Sequence, residues 1–314
     1  MDHALDVITL GEAMLLLVAD QPGPLEQVVA FHKRTAGAET NVAIGLARLG
    51  FKVGWASRLG TDSMGRYLLA ALSQEGIDCS HVVLDASQRT GIQFKERVVD
   101  GRDPLVESHR KGSAASHMGV ADIDAAWLLS ARHLHATGVF AGVSASTLPA
   151  AFKSMDVMRA AGRTVSFDPN LRPGLWASTE HMRASINDLA TRADWVLPGL
   201  EEGRLLTHAT RPEDIAHFYR QRGAQRVVVK LGSDGAYFDD AAGSGYVAGF
   251  PVAQVVDTVG AGDGFAVGVV SALLDGLGLP EAVRRGAWIG ARAVQVLGDS
   301  EGLPTRAELN LAGI

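Results

Sequence analysis

The residues of this chain best suited to chemistry lie in one run, Asp257-Thr-Val-Gly-Ala-Gly-Asp-Gly-Phe265. Gly260, Ala261 and Gly262 offer backbone N–H groups that no large side chain shields, and they lead into an apolar, proline-free stretch of helical length, 265–274. Amides converging at a helix start make an anion site, because the positive end of the helix dipole lies there as well. Asp263 falls in the first turn, where a carboxylate stays ionised and can accept a proton beside developing negative charge. By residue type the pair fits phosphoryl transfer to an alcohol, and a capped tight turn accounts for the loop equally well. The glycines at 260, 262 and 264 miss the dinucleotide spacing, whose third glycine would fall at Phe265, and no G-x-x-x-x-G-K-[ST] run occurs.

Further candidates follow apolar, strand-like runs. Glu12 comes after 7–10 and Gly11, as a ligand contact or a surface carboxylate. Gly37 and Asn41 open a helix predicted over 36–50, in which Val42, Leu46 and Leu49 form one apolar stripe and Gly50 is the stop. Asn170 and Arg172 lie in Asp168-Pro-Asn-Leu-Arg-Pro-Gly-Leu-Trp176, where two prolines and a glycine fix an extended turn. Glu201 and Glu202 follow a short strand at 195–197, and Lys230, Gly232 and Gly235 sit in a strand, turn and strand over 226–238.

The elements that must position these residues alternate. Helix is expected at 122–130, 146–161 and 179–192, and strand at 133–137 and 164–168, which means a parallel sheet with helices on both faces and ligands beyond the strands' C-terminal ends. Strand and helix are also expected at 53–60 and 61–72, strands and turns over 14–34, and a hairpin from 90–99 and 105–109 around Asp100-Gly-Arg-Asp-Pro104. The apolar run 250–256 reads as a strand feeding the glycine loop, and 280–297 as the last helix.

A chain of 314 residues, 47% hydrophobic and 20% charged, can bury a sizeable core as one large α/β unit. A net charge of −6 without a basic stripe argues against nucleic acid and anionic membrane as partners. The single cysteine, Cys79, fits a reducing compartment, and no basic-then-apolar signal segment or membrane-length apolar run is present, so a cytoplasmic location is expected. The ten histidines form no zinc pattern.

The 257–265 run resembles the C-terminal signature of the ribokinase-like, or PfkB-type, carbohydrate kinases, and 36–50 resembles their N-terminal signature. The resemblance covers nearly the whole chain. It implies one ribokinase-like catalytic domain over 1–314, a three-layer α/β/α arrangement around a mainly parallel sheet, with a small β-sheet lid from about 13–35 and 89–111. It implies an ATP-dependent sugar kinase using Mg2+, with K+ as a further candidate ion, and a homo-oligomer formed through the lid. Asp263 would be the catalytic base, with Gly260, Ala261 and Gly262 as anion hole. Arg172 would lie between the terminal phosphate and the sugar, and Glu12, Gly37 and Asn41 would touch the sugar. Asn170, Lys230, Gly232, Gly235, Gly260 and Gly262 would contact ATP, and residues 287–293 would wall the adenine. Glu202 would organise Mg2+ through water, although Gly199 replaces the Asn usual in that element. The stretch 108–116 resembles the branch acting on 2-keto-3-deoxygluconate (2-dehydro-3-deoxygluconate), where Arg110 would hold the sugar acid. Gln93 and Ser108 stand where that branch often presents tyrosines, so a fructokinase or another keto-sugar kinase is the alternative. A non-catalytic sugar or nucleotide sensor on the same scaffold is the reading from a different class.

Overall fold

The computed structural model describes residues 3–99 and 102–314, so Asp100 and Gly101 of the expected hairpin turn lie outside it. In chain order the strands are β1 (Leu5–Leu10), β2 (Met14–Pro22), β3 (Phe31–Ala36), β4 (Val53–Gly60), β5 (Val82–Asp85), β6 (Ile92–Arg97) and β7 (Val106–His109). They continue with β8 (Ala131–Thr137), β9 (Thr164–Asp168), β10 (Trp195–Val196), β11 (Arg226–Lys230), β12 (Ala236–Asp240) and β13 (Gly243–Val247). Nine of them form one sheet in the order β13-β12-β11-β10-β9-β8-β1-β4-β5, and four form a separate sheet, β3-β2-β6-β7. The large sheet is parallel except at β12 and β13, which return as antiparallel hairpins.

Side chains alternate across a strand, so each apolar strand feeds two cores. Val7, Val53 and Val228 pack with the helices Ala38–Arg48, Ser63–Gln74, Ala261–Leu274 and Leu279–Ala293. Ile8, Val227 and Val229 point the other way, onto Thr147–Ala160, Thr179–Ala190, Leu200–Thr207 and Pro212–Arg220. That is the expected helix, sheet, helix layering.

Three local expectations are corrected. Residues 250–256 form no strand: β13 already occupies the sheet edge, Pro251 lacks a donor, and Val256 N instead reaches Val294 O at 2.8 Å. The helix expected over 122–130 breaks into a turn at Val120–Asp122 and a short helix, Ala125–Leu128, because Asp124 caps a new start through Ala126 N and Trp127 N. The last helix, expected over 280–297, stops at Ala293, where Val294 caps it, and a further helix, Arg306–Leu311, follows. Strand β13, Gly243-Ser-Gly-Tyr-Val247, was not expected; it pairs along its backbone with β12 and sets Tyr246 edge-on to Tyr237.

Asp62 joins a helix start to the segment leading into the small sheet. Its Oδ1 accepts Gly65 N at 2.7 Å as N-cap of Ser63–Gln74, and its Oδ2 accepts Thr90 N at 2.8 Å. Asp62→Ala should cost about 1–2 kcal/mol, the worth of a strong cap, visible as a lower urea midpoint at unchanged m-value. An unchanged midpoint would remove the cap from the account.

Candidate active site

The helix Ala261–Leu274 starts from Gly260, whose φ of 86° places it in the left-handed region. Gly264 N closes the first turn onto Gly260 O at 2.8 Å, so Ala261, Gly262 and Asp263 occupy the first three helical positions, whose amides have no partner within the helix. Asp263 is 8% exposed and held from two sides. Asn41 Nδ2 donates to its Oδ2 at 2.7 Å, and Asn170 Nδ2 donates to its Oδ1 at 3.1 Å. Burial pushes Asp263 up to about 7; the neighbouring Asp168 and Asp299 add to the rise, while the Asn41 hydrogen bond and the Arg172 charge oppose it.

Each partner is placed by its own local geometry. Asn41 is in the first turn of Ala38–Arg48, behind Gly37, whose φ is 150° and where a Cβ would sit 2.6 Å from Glu12 O. Asn170 has a φ of 37°, an uncommon conformation for a residue with a side chain, and its N–H is tied back to Asp168 Oδ1 at 3.1 Å. The other Asp168 oxygen accepts Lys230 Nζ at 2.6 Å. Burial would lower the Lys230 ammonium, but Asp168 and Glu202 outweigh it and hold it above the usual lysine range. A cation is thereby kept charged beside Gly262, with Nζ 3.7 Å from where a Cβ at 262 would lie.

These groups face a cleft of about 1080 Å³ at the C-terminal ends of β1 and β8–β11, with the small sheet over it. Arg172 lines the cleft from an exposed position, and its side chain donates to Leu171 O at 2.9 Å. From the small sheet side, Arg110 Nε donates to Glu12 Oε2 at 2.7 Å, and Nη2 lies 2.6 Å from the same oxygen. Ser113 Oγ donates to Glu12 Oε1 at 2.5 Å, so each oxygen of this buried carboxylate has a donor and keeps a lone pair. Gln93 Nε2 donates to Ser108 Oγ at 3.0 Å on the same wall.

The model of the pfkB family carbohydrate kinases matches residues 4–306. The chain belongs to this family. It is a phosphotransferase acting on a sugar. The 2-dehydro-3-deoxygluconokinase of Bacillus subtilis (strain 168) is 48% identical over 306 residues, covering 97% of this chain and 94% of its own. The crystal structure of the PfkB protein from Polaromonas sp. JS666 is 78% identical, with a TM-score of 0.91 over 98% of this chain and 99% of that one. A ribokinase-like protein from E. coli, solved in complex with ATP and Mg2+, is 26% identical with a TM-score of 0.90 over 98% of both chains.

In this pfkB-family chain, eleven of the positions singled out in the sequence face the one cleft: Glu12, Gly37, Asn41 and Arg110; Asn170, Arg172 and Glu202; Lys230, Gly260, Gly262 and Asp263. Gly232 and Gly235 lie outside its walls. A Cβ at 235 would be 2.0 Å from Val247 O, so that turn packs against the segment after β13. Residues 287–293 also lie outside, where Arg292 pairs with Glu308 at 2.9 Å.

Glu202 accepts Leu171 N and Gly199 N, both at 2.7 Å, so each of its oxygens is engaged by an amide. Glu202 also lines the cleft. Among the described residues no group of three or more His, Cys, Asp or Glu side chains is placed to hold a metal ion. Among the described residues no helix is long and apolar enough to cross a membrane.

Sequence reasoning missed one group at the cleft. Lys95 Nζ lies 2.6 Å from both Asp257 and Asp299, and Thr258 Oγ1 donates to Asp103 at 2.6 Å. A lysine between Phe94 and Glu96 in a hairpin strand carries no signal of burial.

Proposed function

We propose that this kinase transfers the γ-phosphoryl group of ATP to a hydroxyl of 2-keto-3-deoxygluconate. The observation that carries the reading is Asp263, suspended between Asn41 and Asn170 beside unpaired helix-start amides at the cleft floor. The identity of 48% to a 2-dehydro-3-deoxygluconokinase supports the acceptor. In the reaction the hydroxyl oxygen forms a bond to the γ-phosphorus, its proton passes to Asp263, and the bond to the β–γ bridging oxygen breaks to release ADP. The amides of 260–262, Lys230 and Arg172 neutralise charge on the moving group, with Asn170 supporting the phosphate side. Mg2+ bound with ATP would supply neutralising positive charge, and Glu202 would hold it through water. Glu12, Gly37, Asn41 and Arg110 grip the sugar.

The small sheet acts as a lid that excludes water from the phosphoryl group. Two chains pairing through its uncovered face, in a cytoplasmic enzyme, belong to the same proposal. A solution mass of one chain would remove the pairing, and a membrane-bound or exported fraction would remove the location.

ADP formation measured with 2-keto-3-deoxygluconate against fructose tests the acceptor, with kcat/KM higher for the acid by at least about tenfold. The Gln93–Ser108 pair favours fructose as the second reading, because neutral hydrogen-bonding groups suit a neutral sugar. Arg110→Ala separates the two. It strips Glu12 of its partner, so both sugars should suffer, but the acid should lose about 10–100-fold more through a lost charged contact. Equal losses would remove the carboxylate role.

A further inference from the structure

Lys95, in β6, is 1% exposed, yet its ammonium sits between the carboxylates of Asp257 and Asp299, 2.6 Å from each. Burying two carboxylates together requires a cation between them. Burial alone would lower the Lys95 ammonium, but Asp299 and Asp257 reverse this and hold it above the ordinary lysine range.

Both carboxylates belong to the anion loop or its support. Asp257 Oδ1 accepts Val259 N at 3.1 Å, and its Oδ2 accepts Gly298 N at 3.0 Å. The Asp299 carbonyl lies 2.2 Å from where a Cβ at Gly260 would be, so its backbone forms the wall against which Gly260 turns. The same hairpin makes a second contact, Asp103 with Thr258. The small sheet thus reaches the anion loop through one buried ion cluster and one hydrogen bond, and neither uses a group assigned to substrate.

We propose that Lys95 is a positioning residue, a built-in cation through which the small sheet locks the 257–260 loop in the geometry that aims the 260–262 amides at the phosphoryl group. The inference rests on the kinase reading for its activity assay, and amide exchange tests it separately.

Lys95→Ala leaves a small cavity flanked by two carboxylates. Its kcat should fall about 10–100-fold, the scale of losses from slight misalignment, with KM for ATP and sugar changed by less than about threefold. Ammonium or K+ should restore about tenfold of that loss, with choline at matched ionic strength restoring none. In hydrogen exchange, the amides of 257–262 should lose protection in the variant while the core strands keep theirs. If Lys95→Ala does not fold, Lys95→Met combined with Asp299→Asn removes most of the unpaired charge, and the same loss of kcat and of 257–262 protection is expected. Wild-type kcat in either folded variant, a loss in Lys95→Ala that neither ammonium nor K+ moves, or unchanged loop exchange would each overturn the proposal. If the wild type phosphorylates no sugar, the functional reading fails while the exchange result still decides the role of Lys95.

Discussion

Asp263→Asn is expected to lower kcat by about 10²–10⁴-fold while making the protein more stable at neutral pH. The two effects share a cause. The side chain is buried and held near 7, against an ordinary value of 3.8, so the folded chain binds a proton more tightly than the unfolded chain does. Stability from this group is complete below about pH 4 and is lost as pH rises toward about 7. An asparagine never ionises, so the gain in Tm of the variant over wild type should grow between pH 5 and 8 and then level off. The interval from 3.8 to about 7 caps the gain at about 4 kcal/mol. Part of that is offset because Asn41 and Asn170 both donate to this side chain and an amide offers only one acceptor. Wild-type kcat/KM should fall tenfold per pH unit below about 7 as the base takes up its proton. A variant with undiminished kcat, or a flat profile between pH 5 and 8, would remove Asp263 from the role of base.

Gly260→Ala should be the most damaging substitution outside the side chains that do chemistry. Two penalties coincide there. A φ of 86° disfavours any side chain by about 1–2 kcal/mol, and the new Cβ would lie 2.2 Å from Asp299 O, a backbone atom. Asp299 cannot retreat freely, because its carboxylate is bound to Lys95. The loop must shift, the amides of 261 and 262 lose their aim, and kcat should fall about 10²–10³-fold, the scale of losing an oxyanion-type donor. Gly276→Ala supplies the control: it has the same φ of 86° but nothing within 4 Å of its Cβ. That variant should lose about 1–2 kcal/mol of stability and keep its kcat. If both variants behave alike, crowding against Asp299 is not what shapes the anion loop.

Much of the site could be read in the sequence because its parts are local. A glycine at 260 followed by small residues and an acid sets a left-handed turn, free amides and a first-turn carboxylate within four positions. Asn170 was legible for a related reason, standing in a proline-fixed turn just past a strand whose end faces ligands in a parallel sheet, and Asn41 because it opens a glycine-led helix start. The 250–256 run was misread because apolar composition cannot say whether a sheet edge is still open. Strand β13, Gly-Ser-Gly-Tyr-Val, had taken that edge, mostly through backbone bonds to β12. Glu202 was legible as an acid near a helix start, but its two amide bonds, one from Leu171 across 31 positions, were not.

The amino-acid order by itself determined the layered fold, the glycine-led helix start at 260 and the carboxylate in its first turn, since these follow from dihedral preferences, apolar periodicity and backbone donors only a few residues apart. Tertiary structure alone decided that Asn41, 222 positions away, would grip Asp263, and that Lys95 would cross 162 and 204 positions to reach Asp257 and Asp299. A lone polar residue carries no mark of its distant partner, because the energy that pairs them exists only after the chain has closed and expelled the water between them.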